Sequence, residues 1–164
     1  MILIGIGSNL AAPPSETPLT TAQAALPALA GPHLQPSLCS SWYASAPVPQ
    51  SDQPWFVNAV ALLSTDLEPD VLLSRMLDVE ARFGRVRGER NAARTLDLDL
   101  LDYDGLIVDT ARLVLPHPRL HERRFVLEPL HEIAPNWRHP VLGVTAVELL
   151  ARLPPQQTAR LNPC

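Results

Sequence analysis

Lysine is absent from this 164-residue sequence, and no arginine precedes Arg75. All 13 basic residues are arginines, and 17 acidic residues bring the formal net charge to −4. Sequence-independent binding to nucleic acid depends on a basic surface that attracts phosphates. The composition therefore argues against a general nucleic-acid binder, and it places any electrostatic chemistry in the second half of the chain.

Long apolar runs and cysteine motifs are also lacking. No apolar stretch reaches the roughly 18 residues that a membrane-spanning helix needs, and the opening MILIGIG carries no basic segment typical of a secretory signal. Cys39 and Cys164 form no CxxC motif and suggest no disulfide framework, so we expect both thiols to be uninvolved. We expect a cytoplasmic monomer without membrane or nucleic-acid partners. With 46% hydrophobic residues, the chain predicts a single domain over residues 1–164.

The hydrophobic pattern alternates between strands and helices. A period of two residues predicts strands, and apolar positions three or four residues apart predict helices. The predicted strands cover residues 1–6, 38–43, 56–63 and an aspartate-rich segment after residue 94, and the predicted helices cover 18–27, 69–83, 122–133 and a short segment after residue 145. This order predicts a ferredoxin-like α+β fold, in which an antiparallel sheet is covered by helices in three α/β/α layers.

Caps and turns refine this pattern. Thr17 is a candidate N-cap for the first helix, and Pro27 should kink or end that helix. Thr145 and Glu148 have the spacing of a capping box for the last helix. The Asp104-Gly105 pair predicts a hairpin turn that leads into residues 106–108.

The segment RTLDLDLLDYDG, which starts at Arg94, raises a chemical question. Strand alternation puts its leucines on one face and Asp97 and Asp99 on the other. Two like charges so close repel each other, and a cation between them removes the repulsion. Magnesium is commonly held by one or two protein carboxylates plus the phosphates of a substrate, and a carboxylate pair can hold two ions. The pair therefore predicts a magnesium site.

Five arginines and one acid occupy residues 82–94, just before these aspartates. A solvated, charge-balanced surface is the plainer interpretation, because exposed ion pairs contribute only ~0–1 kcal/mol. The placement of both aspartates on one strand face favours a site. Arginine forks bind phosphate oxygens and stabilise charge on a transferred phosphoryl group, so the metal and the arginines together predict a nucleoside triphosphate. The opening GIGSN matches neither a P-loop nor a dinucleotide motif and is interpreted as structural.

Motifs along most of the chain carry a family resemblance. They are GIGSNL, SSWYASAPV, DQPWFVNAV, LEPDVLLSRMLDVEARFGRVR, RNAARTLDLDLL and LPHPRLHERRFVLEPLHEIAP. With them the sequence resembles the 6-hydroxymethyl-7,8-dihydropterin pyrophosphokinase family of folate biosynthesis. The resemblance implies an enzyme that moves a pyrophosphoryl group from ATP onto the hydroxymethyl of the pterin and releases AMP, with two Mg²⁺ ions as cofactors.

The resemblance also implies roles for single residues. Asp97 and Asp99 correspond to the magnesium ligands, and Arg85 and Arg94 to the catalytic arginines that act on the phosphates. Nucleotide contacts are implied for Glu80, Arg87, Arg90, Leu100, Arg112, His117 and Arg123. Pterin contacts are implied for Phe56 and Phe125 as stacking rings, for Asn58 at the pterin edge, and for Ser45, Ala46, Pro47 and Val48. A flat bicyclic ligand needs such aromatic faces and a few polar groups at its edge.

The sequence departs from the family pattern at several positions. Asn91-Ala92-Ala93 stands where many members have Trp-Gly-Pro, and Leu77 stands where a glutamine contacts nucleotide. No departure removes a metal ligand or a phosphate arginine.

Two other functions stay open. The first is a paralogue that binds pterin or nucleotide without turnover, against which the retained Asp97, Asp99 and Arg85 argue. The second is an RNA-binding domain, which would need exposed aromatic residues and basic neighbours on its sheet, whereas the strands here offer leucines and acids.

Overall fold

The computed structural model describes residues 1–47, 49–85, 93–155 and 158–160. Its strands are β1 (Ile2–Ser8), β2 (Leu34–Cys39), β3 (Tyr43–Ser45), β4 (Phe56–Thr65), β5 (Asp97–Tyr103), β6 (Val108–Asp109), β7 (Val114–Leu115) and β8 (Thr158–Arg160). Its α-helices are α1 (Pro18–Gln23), α2 (Ala25–Leu29), α3 (Pro69–Arg82), α4 (Arg124–Ile133) and α5 (Ala146–Leu150), and a 3-10 helix covers Leu120–Glu122.

Six strands form one antiparallel sheet in the order β5-β1-β4-β3-β8, with β2 also paired to β4. Side chains of β1 alternate between two hydrophobic clusters. Ile4 and Ile6 belong to a cluster shared with α1, α2 and α3, whereas Leu3 belongs to a cluster shared with α4 and α5. Helices therefore cover both faces of the sheet, which confirms the predicted α+β fold in three layers.

Strand β5 lies at one edge of this sheet, beside β1. Its leucines follow the predicted alternation, because Leu98 and Leu100 pack in the cluster formed with α1, α2 and α3. Asp97 and Asp99 alternate with them and line a cavity on the other face. Burial of the leucines thus fixes the register that points both carboxylates to the same side of the sheet.

The predicted caps are confirmed at both ends of the chain. The Thr17 side chain accepts a hydrogen bond from the Thr20 N–H at the start of α1. The Thr145 and Glu148 side chains form the reciprocal capping box at the start of α5. Helix α3 begins at its proline as predicted, and Gly84 follows it with a φ of 74°, a conformation that glycine adopts without strain.

Two predicted elements are divided in the structure. The strand predicted over 38–43 is wrong as one element, because β2 ends before Ser40 and β3 begins after Ser41. The Ser40 hydroxyl accepts the Val60 N–H at 3.0 Å, so a side chain replaces a strand carbonyl at that point of the ladder. The first helix breaks at Ala24, three residues before Pro27, since proline has no N–H for the carbonyl four residues earlier.

The Asp104-Gly105 turn is present, with positive φ at both residues, but the predicted hairpin is wrong. The residues after the turn pair with β7 and not with β5. The β6–β7 hairpin is closed locally, because the Thr110 hydroxyl accepts the Leu113 N–H at 3.0 Å and donates to the Leu113 carbonyl. Such side-chain closure is not visible in the hydrophobic pattern.

Cys39, the last residue of β2, is disulfide-bonded, so the prediction that it is uninvolved is wrong. Cys164 lies outside the described residues. Among the described helices, none has the length and apolar composition that crossing a bilayer requires.

Candidate active site

The sheet register brings the candidate residues into one row. Gly7 on β1 pairs with Asp97 on β5 at one side and with Asn58 on β4 at the other. A Cβ atom built on Gly7 would lie 3.6 Å from the Asn58 Oδ1 and 3.7 Å from the Asp97 Cβ. Glycine therefore leaves the space between the carboxylate and the amide open, and these two groups face a common volume.

That volume is a cavity of about 330 Å³. Its lining includes charged residues, which are Arg94, Asp97, Asp99, Arg119, Glu122 and Arg123. It also includes aromatic, small and amide residues, among them Ser45, Ala46, Pro47, Gln53, Phe56, Asn58 and Phe125. Residues implied for phosphate and metal binding thus share one cavity with residues implied for the pterin.

Asp97 is held between two arginines. Its Oδ1 lies 2.7 Å from an Arg85 Nη1, and its Oδ2 accepts a hydrogen bond from Arg94. Burial and then the charge of Asp99 raise the pKa of Asp97, while both arginines act in the opposite direction. Burial and the charge of Asp99 therefore disfavour the ionised form of Asp97, whereas nearby positive charge favours it.

Asp99 has a second set of partners. Its Oδ2 lies 3.1 Å from an Arg123 Nη1, and its Oδ1 lies 3.9 Å from the His117 Nε2. The His117 Nδ1 accepts the Arg119 N–H at 3.2 Å, so the single proton of the neutral ring sits on Nε2 and faces Asp99. Burial is the main cause that lowers the pKa of His117, and a lower pKa favours the neutral ring. His117 therefore presents an N–H donor beside the carboxylate pair.

Glu80 on α3 contacts both the main chain of β5 and Arg85, one of the two arginines that bind Asp97. Its side chain is 2% exposed, its Oε1 accepts the Leu98 N–H at 2.7 Å, and it forms an ion pair with Arg85. Leu98 lies on the edge strand, so Glu80 satisfies a main-chain donor that no further strand pairs. The implied contact between Glu80 and the nucleotide stays a prediction, since the carboxylate is buried against Leu98 and Arg85.

Glu80 gives a pH-dependent prediction. Burial raises the pKa of Glu80 from its ordinary value to about 7, against smaller lowering effects from Leu98 and Arg85. Between about pH 4.5 and 7 the folded chain holds a proton that the unfolded chain has lost, so the free energy of unfolding falls as the pH rises through this window. We expect Glu80→Gln to make denaturant midpoints less dependent on pH between 5 and 7. An unchanged pH dependence in the variant would show that Glu80 does not titrate there.

The pterin side of the cavity contains a satisfied amide. Asn58 is 6% exposed, and its Nδ2 donates to the Ser45 Oγ at 2.9 Å and to the Tyr43 carbonyl at 3.4 Å. These donations fix the amide so that its Oδ1 faces the space above Gly7. Phe56 and Phe125 are half-buried and line the same cavity. An oriented amide and two partly exposed rings suit a flat heterocycle.

Other predicted residues lie outside this cavity or outside the described residues. The Leu100 side chain is buried in the core on the opposite face of β5, which leaves only its main chain for a nucleotide contact. Arg112 is exposed and donates to the Ser74 Oγ on α3. Arg87, Arg90 and Val48 lie outside the described residues.

Sequence reasoning missed several residues of the cavity. Gly5 and Gly7 line it, and the period of β1 contains the signal, because the isoleucines that alternate with these glycines are in the core. Arg119 and Glu122 also line it and lie within the quoted motif LPHPRLHERRF. No local signal in the sequence separates them from the other charged residues of that motif.

The carboxylate pair suits magnesium by its donor chemistry. Both side chains face one cavity, and the charge of Asp99 disfavours ionisation of Asp97, which a divalent cation would reverse. Within the described ranges, no three histidine, cysteine, aspartate or glutamate side chains form a metal-binding group. Magnesium does not require one, because it takes one or two carboxylates and completes its shell with water and substrate phosphates.

Comparison with known proteins identifies the family of this chain. A sequence model of 7,8-dihydro-6-hydroxymethylpterin-pyrophosphokinase (HPPK) matches residues 3–135. The chain is similar to the 2-amino-4-hydroxy-6-hydroxymethyldihydropteridine pyrophosphokinase of Synechocystis sp., with 40% identity over 92% of this chain and 75% of that protein. The proteins of the same name from Haemophilus influenzae and Pseudomonas aeruginosa are 40% and 41% identical, each over 98% of this chain and over 97% and 96% of their own lengths. The chain therefore belongs to the 7,8-dihydro-6-hydroxymethylpterin-pyrophosphokinase family, which confirms the resemblance seen in its motifs.

Proposed function

We propose that this chain transfers the β,γ-pyrophosphoryl group of ATP to the hydroxymethyl oxygen of 6-hydroxymethyl-7,8-dihydropterin and releases AMP in folate biosynthesis. One observation carries the proposal. A single cavity joins Asp97, Asp99 and Arg94 to Phe56 and Asn58. A polyphosphate and a flat heterocycle can therefore bind side by side in it, as transfer between them requires.

In this transfer the hydroxymethyl oxygen forms a bond to the β-phosphorus. The bond from that phosphorus to the oxygen bridging it to the α-phosphorus breaks, AMP leaves with that oxygen, and the hydroxyl proton passes to water. The protein supplies position and charge rather than a general base. Arg94 and Arg85 exchange part of their contact with Asp97 for phosphate oxygens, and the His117 Nε2–H is a further donor beside Asp99.

Asp97 and Asp99 would hold two magnesium ions, which would neutralise charge on the polyphosphate. In the same cavity, the Asn58 Oδ1 accepts from the pterin edge, and Phe56 and Phe125 contact its faces. The phosphate roles implied for Arg87 and Arg90 belong to this proposal, as do the nucleotide roles of Arg112 and Arg123. We further propose that residues 1–164 act as one domain, as a monomer in the cytoplasm, with ATP and the pterin as small-molecule partners.

The nucleotide product tests this function. The protein is incubated with ATP, magnesium and 6-hydroxymethyl-7,8-dihydropterin, and the nucleotides are separated by chromatography. We expect AMP in equal amount to the pterin diphosphate. A matched control with 6-methyl-7,8-dihydropterin, which lacks the attacking hydroxyl, is expected to give none. ADP as product would indicate an ordinary kinase, and binding of both ligands without turnover would indicate the non-catalytic paralogue.

A further inference from the structure

Asn9 is a buried residue that hydrogen-bonds to the main chain of the candidate catalytic residue Arg94. It follows β1 directly and is 1% exposed. Its Oδ1 accepts the Arg94 N–H at 2.7 Å, and the Arg94 carbonyl accepts the N–H groups of Asn9 and Leu10, each at 3.1 Å. Both main-chain polar groups of Arg94 are thus hydrogen-bonded to Asn9 and Leu10.

The other end of the same amide reaches the segment that precedes β4. The Asn9 Nδ2 donates to the Gln53 Oε1 and to the Pro54 carbonyl, both at 3.2 Å. The orientation of the amide is fixed, because the Arg94 N–H can only donate and the Pro54 carbonyl can only accept. Gln53 lines the cavity, and the segment leads directly into Phe56.

We propose that Asn9 is a positioning residue that couples Arg94, which is implied in phosphate binding, to the segment that leads into the implied pterin ring Phe56. Arg94 and Gln53 both line the cavity, and one amide bonds to both segments. Asn9 is not among the residues that line the cavity, so it acts through Arg94 and through the segment of Gln53 and Pro54. The inference rests on the proposed function, because it assigns Asn9 a part in that reaction.

The coupling predicts a split effect on kinetics. Asn9→Ala leaves the Arg94 N–H without its acceptor and removes the donations to the Gln53 Oε1 and the Pro54 carbonyl. We expect kcat to fall about 10-fold and the KM for the pterin to rise about 10-fold, the scale of a buried hydrogen bond left unmade. Asn136→Ala, a substitution of an exposed asparagine, is the matched control and is expected to change neither constant.

A double-mutant cycle separates positioning from a merely structural role. If Asn9 acts on kcat through the Arg94 side chain, Asn9→Ala lowers kcat much less in an Arg94→Ala background, while its effect on the pterin KM persists. A structural role would give the same fold-change in kcat in both backgrounds, and that result would overturn the proposal. Thermal melting of each variant establishes that the compared proteins are folded.

A second variant keeps the test decisive if Asn9→Ala folds poorly. Asn9→Asp retains an oxygen for the Arg94 N–H, and its ionised carboxylate cannot donate to Gln53 or Pro54. We expect kcat near that of the unmodified chain and a raised pterin KM, and pterin binding followed by its own fluorescence should weaken in parallel. Equal kinetics and binding in Asn9→Asp and the unmodified chain would refute the coupling. Absence of AMP formation by the unmodified chain would instead refute the proposed function.

Discussion

Replacing Asp97 and Asp99 together by asparagine is expected to lower kcat for pyrophosphoryl transfer by at least about 10³-fold, because metal-ion stabilisation of a polyphosphate supplies several kcal/mol. Asparagine keeps the size of both side chains and removes both negative charges. The substitution also removes the ion-pair partners of Arg85, Arg94 and Arg123, so thermal melting establishes that the compared proteins are folded. The measurement is AMP release at saturating ATP, pterin and magnesium.

A binding readout distinguishes lost metal binding from a distorted cavity. Mn²⁺ bound to the protein with ATP, followed by water proton relaxation, should weaken in the double variant, while pterin fluorescence should report unchanged pterin binding. Asp109→Asn changes an exposed aspartate of β6 and is the matched control for loss of charge. Undiminished turnover in the double variant would remove the basis of the proposed mechanism.

The fold and the two carboxylates could be predicted because local patterns determine them. The leucines of β5 alternate with Asp97 and Asp99, and burial of one face leaves the other for chemistry. The capping box at Thr145 needs only residues within one helical turn. Where the physical cause lies within a few residues of chain, the sequence contains enough information to predict the structure.

The parts that could not be predicted depend on contacts between distant segments. The break between β2 and β3 is set by the Ser40 hydroxyl, which replaces a strand carbonyl for Val60, 20 residues away. The hydrogen bond from the Arg94 N–H to the Asn9 side chain joins residues 85 positions apart. Periodicity assigns a residue to a face, and it does not tell which side chain of another segment that residue meets. The sequence pattern therefore gives GIGSN only a structural role. In the structure its asparagine, Asn9, hydrogen-bonds to Arg94 and Gln53, which both line the cavity.

Removing the Arg94 side chain is expected to have the second-largest effect. Arg94→Ala deletes a guanidinium that lines the cavity and forms an ion pair with Asp97. A donor that stabilises charge on the transferred group is worth about 10²- to 10³-fold in kcat, so we expect a loss of this size with little change in the pterin KM. Arg94→Lys should recover only a small part, because an ammonium cannot bind two phosphate oxygens with a planar fork.

The control for Arg94 is an arginine whose contact is confined to its own segment. Arg138 is exposed, and its Nη1 donates to the Gly143 carbonyl at 2.9 Å, so Arg138→Ala should leave kcat and both KM values unchanged. A fall in kcat without a matching rise in the KM for ATP would place the guanidinium in the transition state rather than in ground-state binding. A rise in the KM for ATP with kcat unchanged would contradict this and make Arg94 a nucleotide-binding residue alone.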